Sequence, residues 1–132
     1  MFSSSVRAIA LAGAAAALTV GISGSANAVP DTMDAPYAQA AARINTNGAI
    51  QASKGIDTVT RPQVGTYCVS FTKNLNLAQT APQATVESAD FGVISVITRP
   101  HGWCGSEQGT LTVIIRGQDG LRKDLPFTLA IP

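Results

Sequence analysis

The sequence predicts an all-β domain, an antiparallel β-sandwich of about seven to eight short strands, with a small β-barrel as the alternative. Three observations lead there: short runs of β-favouring residues, turn residues spaced between them, and no helix-period pattern longer than a turn from residue 42 onward. Successive strands joined by short turns favour antiparallel pairing.

Residues 1–28 are predicted to form an N-terminal signal helix, cleaved on export. Arg7 supplies the positive charge, 8–22 is an apolar stretch rich in Ala, Leu and Val, and Ser23, Gly24 and Ser25 break the helix. Ala26-Asn27-Ala28 then puts small residues at the two positions a signal peptidase reads, so the cut falls after Ala28. A spanning helix needs about 20 consecutive apolar residues, more than this run holds. The mature chain is therefore expected to be secreted, extracellular and free of the membrane. Residues 29–41, with Pro30, Asp31, Asp34 and Pro36, read as a flexible lead-in, and 42–132 as a single β domain. An Ala-rich patch at 38–42 is too short to hold a helical turn by itself.

The first hairpin joins 42–46 to 49–53 across Asn47-Gly48, a dipeptide that tolerates positive φ at both positions. Lys54-Gly55 turns the chain into 56–61, and Pro62-Gln63-Val64-Gly65 turns it into 66–71. There Tyr67, Val69 and Phe71 share one face and Thr66, Cys68 and Ser70 the other. Residues 73–82 are irregular and polar. Strands follow at 84–89 and 91–99, and the run Val93-Ile94-Ser95-Val96-Ile97, large on both faces, predicts a central strand buried on two sides. A loop at 100–109 precedes a strand at 110–116 with Leu111, Val113 and Ile115 inward. The turn Gly117-Gln118-Asp119-Gly120 leads to a closing strand near 125–131, where Phe127, Leu129 and Ile131 alternate with Thr128 and Ala130. An immunoglobulin domain is disfavoured because Trp103 directly precedes Cys104 instead of standing between the two cysteines on its own strand.

The chain holds nine Lys and Arg against eight Asp and Glu, and loss of Arg7 with the signal brings the formal charge to zero. Nucleic acid and anionic membranes are bound mainly through clustered positive charge, so neither is an expected partner. Two cysteines in an exported chain allow one intramolecular pairing, Cys68 with Cys104. The loop that it closes contributes about 3 to 4 kcal/mol through chain entropy.

Candidate chemistry is sparse. His101, three residues before Cys104, suggests a thiol–imidazole pair, but that needs Cys104 free and a third group to orient the ring. A structural zinc needs about four ligands, and His101, Cys68 and Cys104 are three, so no metal or cofactor is expected. No Gly-x-Ser-x-Gly elbow or phosphate-binding loop is present, and nothing selects two of the dispersed acids as a glycosidase pair. Tyr67 alternates with core residues. Trp103, in a Gly-flanked loop beside the bridge, either packs over the disulfide or protrudes as a contact residue.

Several stretches, Arg43-Ile44-Asn45 with Asn47-Gly48, Val59-Thr60-Arg61-Pro62, Gly65-Thr66-Tyr67-Cys68-Val69 and Asp124-Leu125-Pro126-Phe127, resemble small secreted actinobacterial β-rich proteins of unassigned function. The resemblance implies a β-fold and export, and carries over no functional residue. The expectation is a noncatalytic secreted binding or interaction module for a protein or cell-envelope component, with Pro100, His101, Trp103 and Ser106 as the candidate contact loop. One alternative is an inhibitor of an extracellular hydrolase acting through 100–109; another is a small hydrolase using His101 with Cys104 or Ser106.

Overall fold

The computed structural model describes residues 30–106 and 108–132; the expected signal helix and its cleavage site lie outside the described residues. The described residues form an all-β fold of nine strands in two sheets, neither closed into a barrel. One sheet has the order β1 (Asp31–Thr32), β3 (Ile50–Lys54), β2 (Ala40–Ile44), β9 (Phe127–Ile131), β6 (Gln83–Val86). The other runs β4 (Ile56–Gln63), β5 (Thr66–Phe71), β8 (Leu111–Gly117), β7 (Gly92–Ile97). Every strand pairing is antiparallel except that of β1 with β3, and the two-residue β1 is the element beyond the seven or eight expected.

The two sheets share one apolar core in a sandwich-like arrangement. Ala40, Ala42 and Ile44 of β2 and Phe127, Leu129 and Ile131 of β9 come from one sheet; Ile56, Tyr67, Val69, Leu111, Val113 and Ile115 come from the other. Alternation along each strand puts these residues inward. The closing strand follows the expected pattern: Phe127, Leu129 and Ile131 are buried, with Thr128 and Ala130 partly exposed. Leu75 and Leu77, in the irregular stretch after β5, and Leu125 join the same core.

Several expectations need correction. Regular structure starts earlier than residue 42: Asp31 and Thr32 pair with Ala52 and Ser53, and β2 begins at Ala40. Ala40–Ala42 reads as weak helix in isolation, yet small side chains are what a strand needs where its sheet lies close against the rest of the core. The first hairpin turns over three residues instead of two. Gly48 N–H donates to the Asn45 carbonyl and Asn45 N–H to the Ala49 carbonyl, and Gly48 alone has positive φ, +86°. That is a type I turn closed by a bulge glycine, and Asn47 serves it by accepting the Ala49 N–H on Oδ1.

The run 93–97 is an edge strand, paired on one side only with β8, and Val93 is 52% exposed. In this sheet the strands buried on both faces are the two central ones, β5 over residues 66–69 and β8 over residues 111–115. A β-branched run reads the same at the edge as at the centre, because strand order is decided by pairing partners and not by the run itself.

Asp124 ties three segments together ahead of β9. Its Oδ1 accepts the Gly65 N–H at 2.7 Å, and its Oδ2 accepts from Arg61 at 2.9 Å. The single Tyr67 hydroxyl proton faces two acceptors, the Thr46 carbonyl at 2.7 Å and Asp124 Oδ1 at 3.1 Å. Tyr67 also packs its ring against Phe127 at 5.0 Å between centroids. Burial, reinforced by the Asp124 charge and hydrogen bond, pushes the Tyr67 phenol well above its ordinary value, against a smaller opposing pull from Arg61. The folded state therefore keeps this proton at a pH where the unfolded chain loses it. The associated stability is fully present below the unfolded pKa of about 10 and declines as pH rises above it. Urea denaturation between about pH 8 and pH 11 should show that alkaline loss. Tyr67→Phe, less stable at pH 8 by about 1 to 2 kcal/mol for the lost hydrogen bonds, should lose less on going alkaline. An identical decline in both proteins would remove Tyr67 as its source.

Candidate functional site

The 100–109 loop lies across the outer face of the β5–β8 pair. Cys68, in register with Thr60 on β4 and Thr112 on β8, points away from the core, and Cys104 of the loop is bonded to it across 36 residues. The loop is a tight turn: His101 pairs with Gly105, and the Cys104 N–H donates to the His101 carbonyl at 3.0 Å. On this outer face Thr112, which neighbours Cys68 in register, and Ile114 are buried. Thr112 Oγ1 has no hydrogen-bond partner among the described residues.

Trp103 is 47% exposed and carries the Arg122 guanidinium over its ring, 5.3 Å from the centroid. Arg122 is held from below by Thr66 Oγ1, which accepts from its Nη1. Arg122 arrives there because the turn after β8 folds the chain back, pairing Arg122 with Arg116. A planar cation over an indole face is attracted by the ring quadrupole, by about 0.5 to 1 kcal/mol at a partly exposed site. The pair presents a flat aromatic and a cation side by side. Nothing in the sequence linked Arg122 to Trp103, which lie 19 positions apart and on separate turns.

The other candidate residues are distributed around the same loop. Pro100 is exposed, Ser106 is exposed, and His101 is half-buried, with Nδ1 accepting the Trp103 N–H at 3.4 Å. The Cys104 sulfur is held in the bridge and is not a thiol. Among the described residues, no hydrogen bond joins His101 to Ser106, and no three His, Cys, Asp or Glu side chains gather as metal ligands.

On its other side the loop borders a groove of about 530 Å³, lined by 74–78, 98–100, Gln108 and Gly109. The opposite wall is the irregular stretch after β5. There the order Asn74-Leu75-Asn76-Leu77 buries both leucines and leaves both asparagines exposed, and a 3-10 turn over Leu77–Gln79 closes the segment. In the sequence, 73–82 reads as an irregular polar stretch and 100–109 as a separate loop. The alternation of Asn and Leu was the available sign that 73–82 is anchored, but no local signal could place it beside 98–100.

No helix among the described residues is long and apolar enough to cross a membrane. Compared with known proteins, the chain significantly matches no family model, no curated protein and no solved structure.

Proposed function

We propose that the chain is exported and acts outside the cell as a noncatalytic binding module, its contact surface the 100–109 loop and its partner a cell-envelope component or another exported protein. The observation that carries this reading is the half-exposed Trp103 under the Arg122 guanidinium, on a loop stapled to β5 by the disulfide. Trp and Arg dominate the energetics of contact surfaces, and a stapled loop surrenders little conformational freedom when it binds. The same stiffness suits an inhibitor of an extracellular hydrolase. Loss of activity in a panel of secreted proteases incubated with the protein would favour that narrower role. A hydrolase working through Cys104 is disfavoured by the bridge, which occupies its sulfur.

The test is Trp103→Ala, with the immobilised protein used to capture partners from culture medium and envelope fractions of the native host. Affinity for what is captured should fall by more than about 2 kcal/mol, as for a central aromatic anchor. Folding stability should fall by only about 1 to 2 kcal/mol, because a half-exposed ring leaves a smaller void than the 3 to 5 kcal/mol case of a fully buried one. A large loss of stability with unchanged capture would sink this surface as the contact.

A further inference from the structure

We infer that the groove between the 74–78 segment and the 98–100 stretch is a binding site for a saccharide carrying a carboxylate. This rests on the reading that the 100–109 side of the domain is its binding surface, and names a ligand class for the neighbouring groove. Its volume, about 530 Å³, falls within the 300–1,000 Å³ usual for small-molecule sites.

The lining decides the chemistry. Asn74, Asn76 and Gln108 bring three carboxamides, Thr98 a hydroxyl and Arg99 a guanidinium. None of these five side chains makes a hydrogen bond within the protein among the described residues, whereas Arg43, Arg61, Arg116 and Arg122 are each committed to a protein acceptor. Each carboxamide both donates and accepts from one rigid plane. That matches a sugar hydroxyl, which also does both, better than it matches an apolar ligand. The lining also includes the exposed Ala78 and Pro100, small apolar surfaces of the kind the C–H face of a pyranose ring covers. Among the described lining residues Arg99 is the one charged side chain, and its planar fork fits a carboxylate with two parallel hydrogen bonds.

Both walls are held in place before any ligand arrives. Leu75 and Leu77 anchor one wall in the core, and the Cys68–Cys104 bridge fastens the loop that supplies Pro100, Gln108 and Gly109 to the other. A polar groove with fixed walls keeps its donors and acceptors oriented, which is what recognition of a hydroxyl-rich ligand requires, since water competes for every hydrogen bond.

The full chain with its disulfide intact, labelled with nitrogen-15, can be titrated with a trimer of galacturonic acid and, separately, with the neutral trimer of galactose. Both should shift the amide resonances of 74–78, 98–99 and 108–109, the acidic trimer binding about tenfold more tightly because its hydrogen bonds to Arg99 are charge-assisted. Arg99→Gln should remove that advantage and leave the neutral trimer within about twofold, a charge effect that added salt should also weaken. Asn74→Ala with Asn76→Ala should weaken both trimers. Equal affinity of the wild-type protein for the two trimers would overturn the carboxylate assignment. Groove amides unmoved by either trimer would overturn the site itself; if capture of envelope material still depended on Trp103, the binding-module reading would survive that failure.

Discussion

Replacing Gly65 with Ala should cost more than about 3 kcal/mol and leave little folded protein at 37 °C, since αL strain alone accounts for about 1 to 2 kcal/mol. Gly65 has φ of +68°, and a Cβ there would stand 2.6 Å from the Ile115 carbonyl oxygen and 2.8 Å from the Lys123 nitrogen. Both are backbone atoms, and both are engaged. The Ile115 N–H donates to the Gly65 carbonyl at 2.8 Å, the Lys123 N–H donates to the Ile115 carbonyl at 3.1 Å, and the Gly65 N–H donates to Asp124. Relief of the contact would therefore have to break hydrogen bonds joining the start of β5, the end of β8 and the segment before β9. Gly120 is the control. Its φ is +77°, but a Cβ would meet nothing within 4 Å, so Gly120→Ala should cost only the conformational part, about 1 to 2 kcal/mol. Urea denaturation of both variants measures the difference. Equal losses would mean that backbone strain alone, and not the three-way contact, makes Gly65 necessary.

Removing the disulfide should have the second-largest effect. Replacing Cys68 and Cys104 together with Ala should lower stability by about 2 to 5 kcal/mol, as for native bridges in small domains. For a domain of this size that corresponds to a fall in Tm of roughly 10 °C or more. The bridge closes a loop of 36 residues, and it also pins the 101–106 turn to the outer face of β5, where Cys68 neighbours the buried Thr112. Hydrogen exchange should distinguish these two contributions. If the pinning matters, amides of 101–106 should lose protection well before those of β2 and β9, which lie in the middle of the other sheet. An unchanged melting transition on reduction would show that the outer face is held by the Arg122 and Trp103 contacts and that the bridge adds little.

Much of the strand inventory was legible because its determinants are local. In the stretch 66–71, the alternation of Tyr67 and Val69 with Thr66 and Cys68 places two residues in the core and turns Cys68 outward, as expected. The alternation at 127–131 and the turns at Gly48 and Gly120 were equally readable, although the hairpin at Gly48 has one residue more in its loop than Asn-Gly suggested. The illegible parts share one character. Ala40 and Ala41 were left out of the first strand because small residues announce neither strand nor core. Residues 93–97 looked central because a β-branched run does not reveal how many neighbours pair with it.

The candidate site divides along the same line. Cys68 and Cys104 were identifiable as partners because two cysteines leave one intramolecular choice, and Trp103 was identifiable by its place beside them. Arg122 over Trp103, and Asn74 and Asn76 lining one groove with Arg99, were not identifiable, since each juxtaposition depends on where separate turns come to rest.

The sequence by itself determined the secondary-structure class, the inward faces of most strands and the disulfide pairing, because alternation, turn chemistry and cysteine number act over a few residues or admit a single solution. Tertiary structure alone decided which strand lies at the centre, which glycine has no room for a side chain and which two loops share a groove. Those outcomes rest on contacts such as Asp124 with Gly65, 59 positions apart. Their geometry comes into being only when both sheets close on the common core.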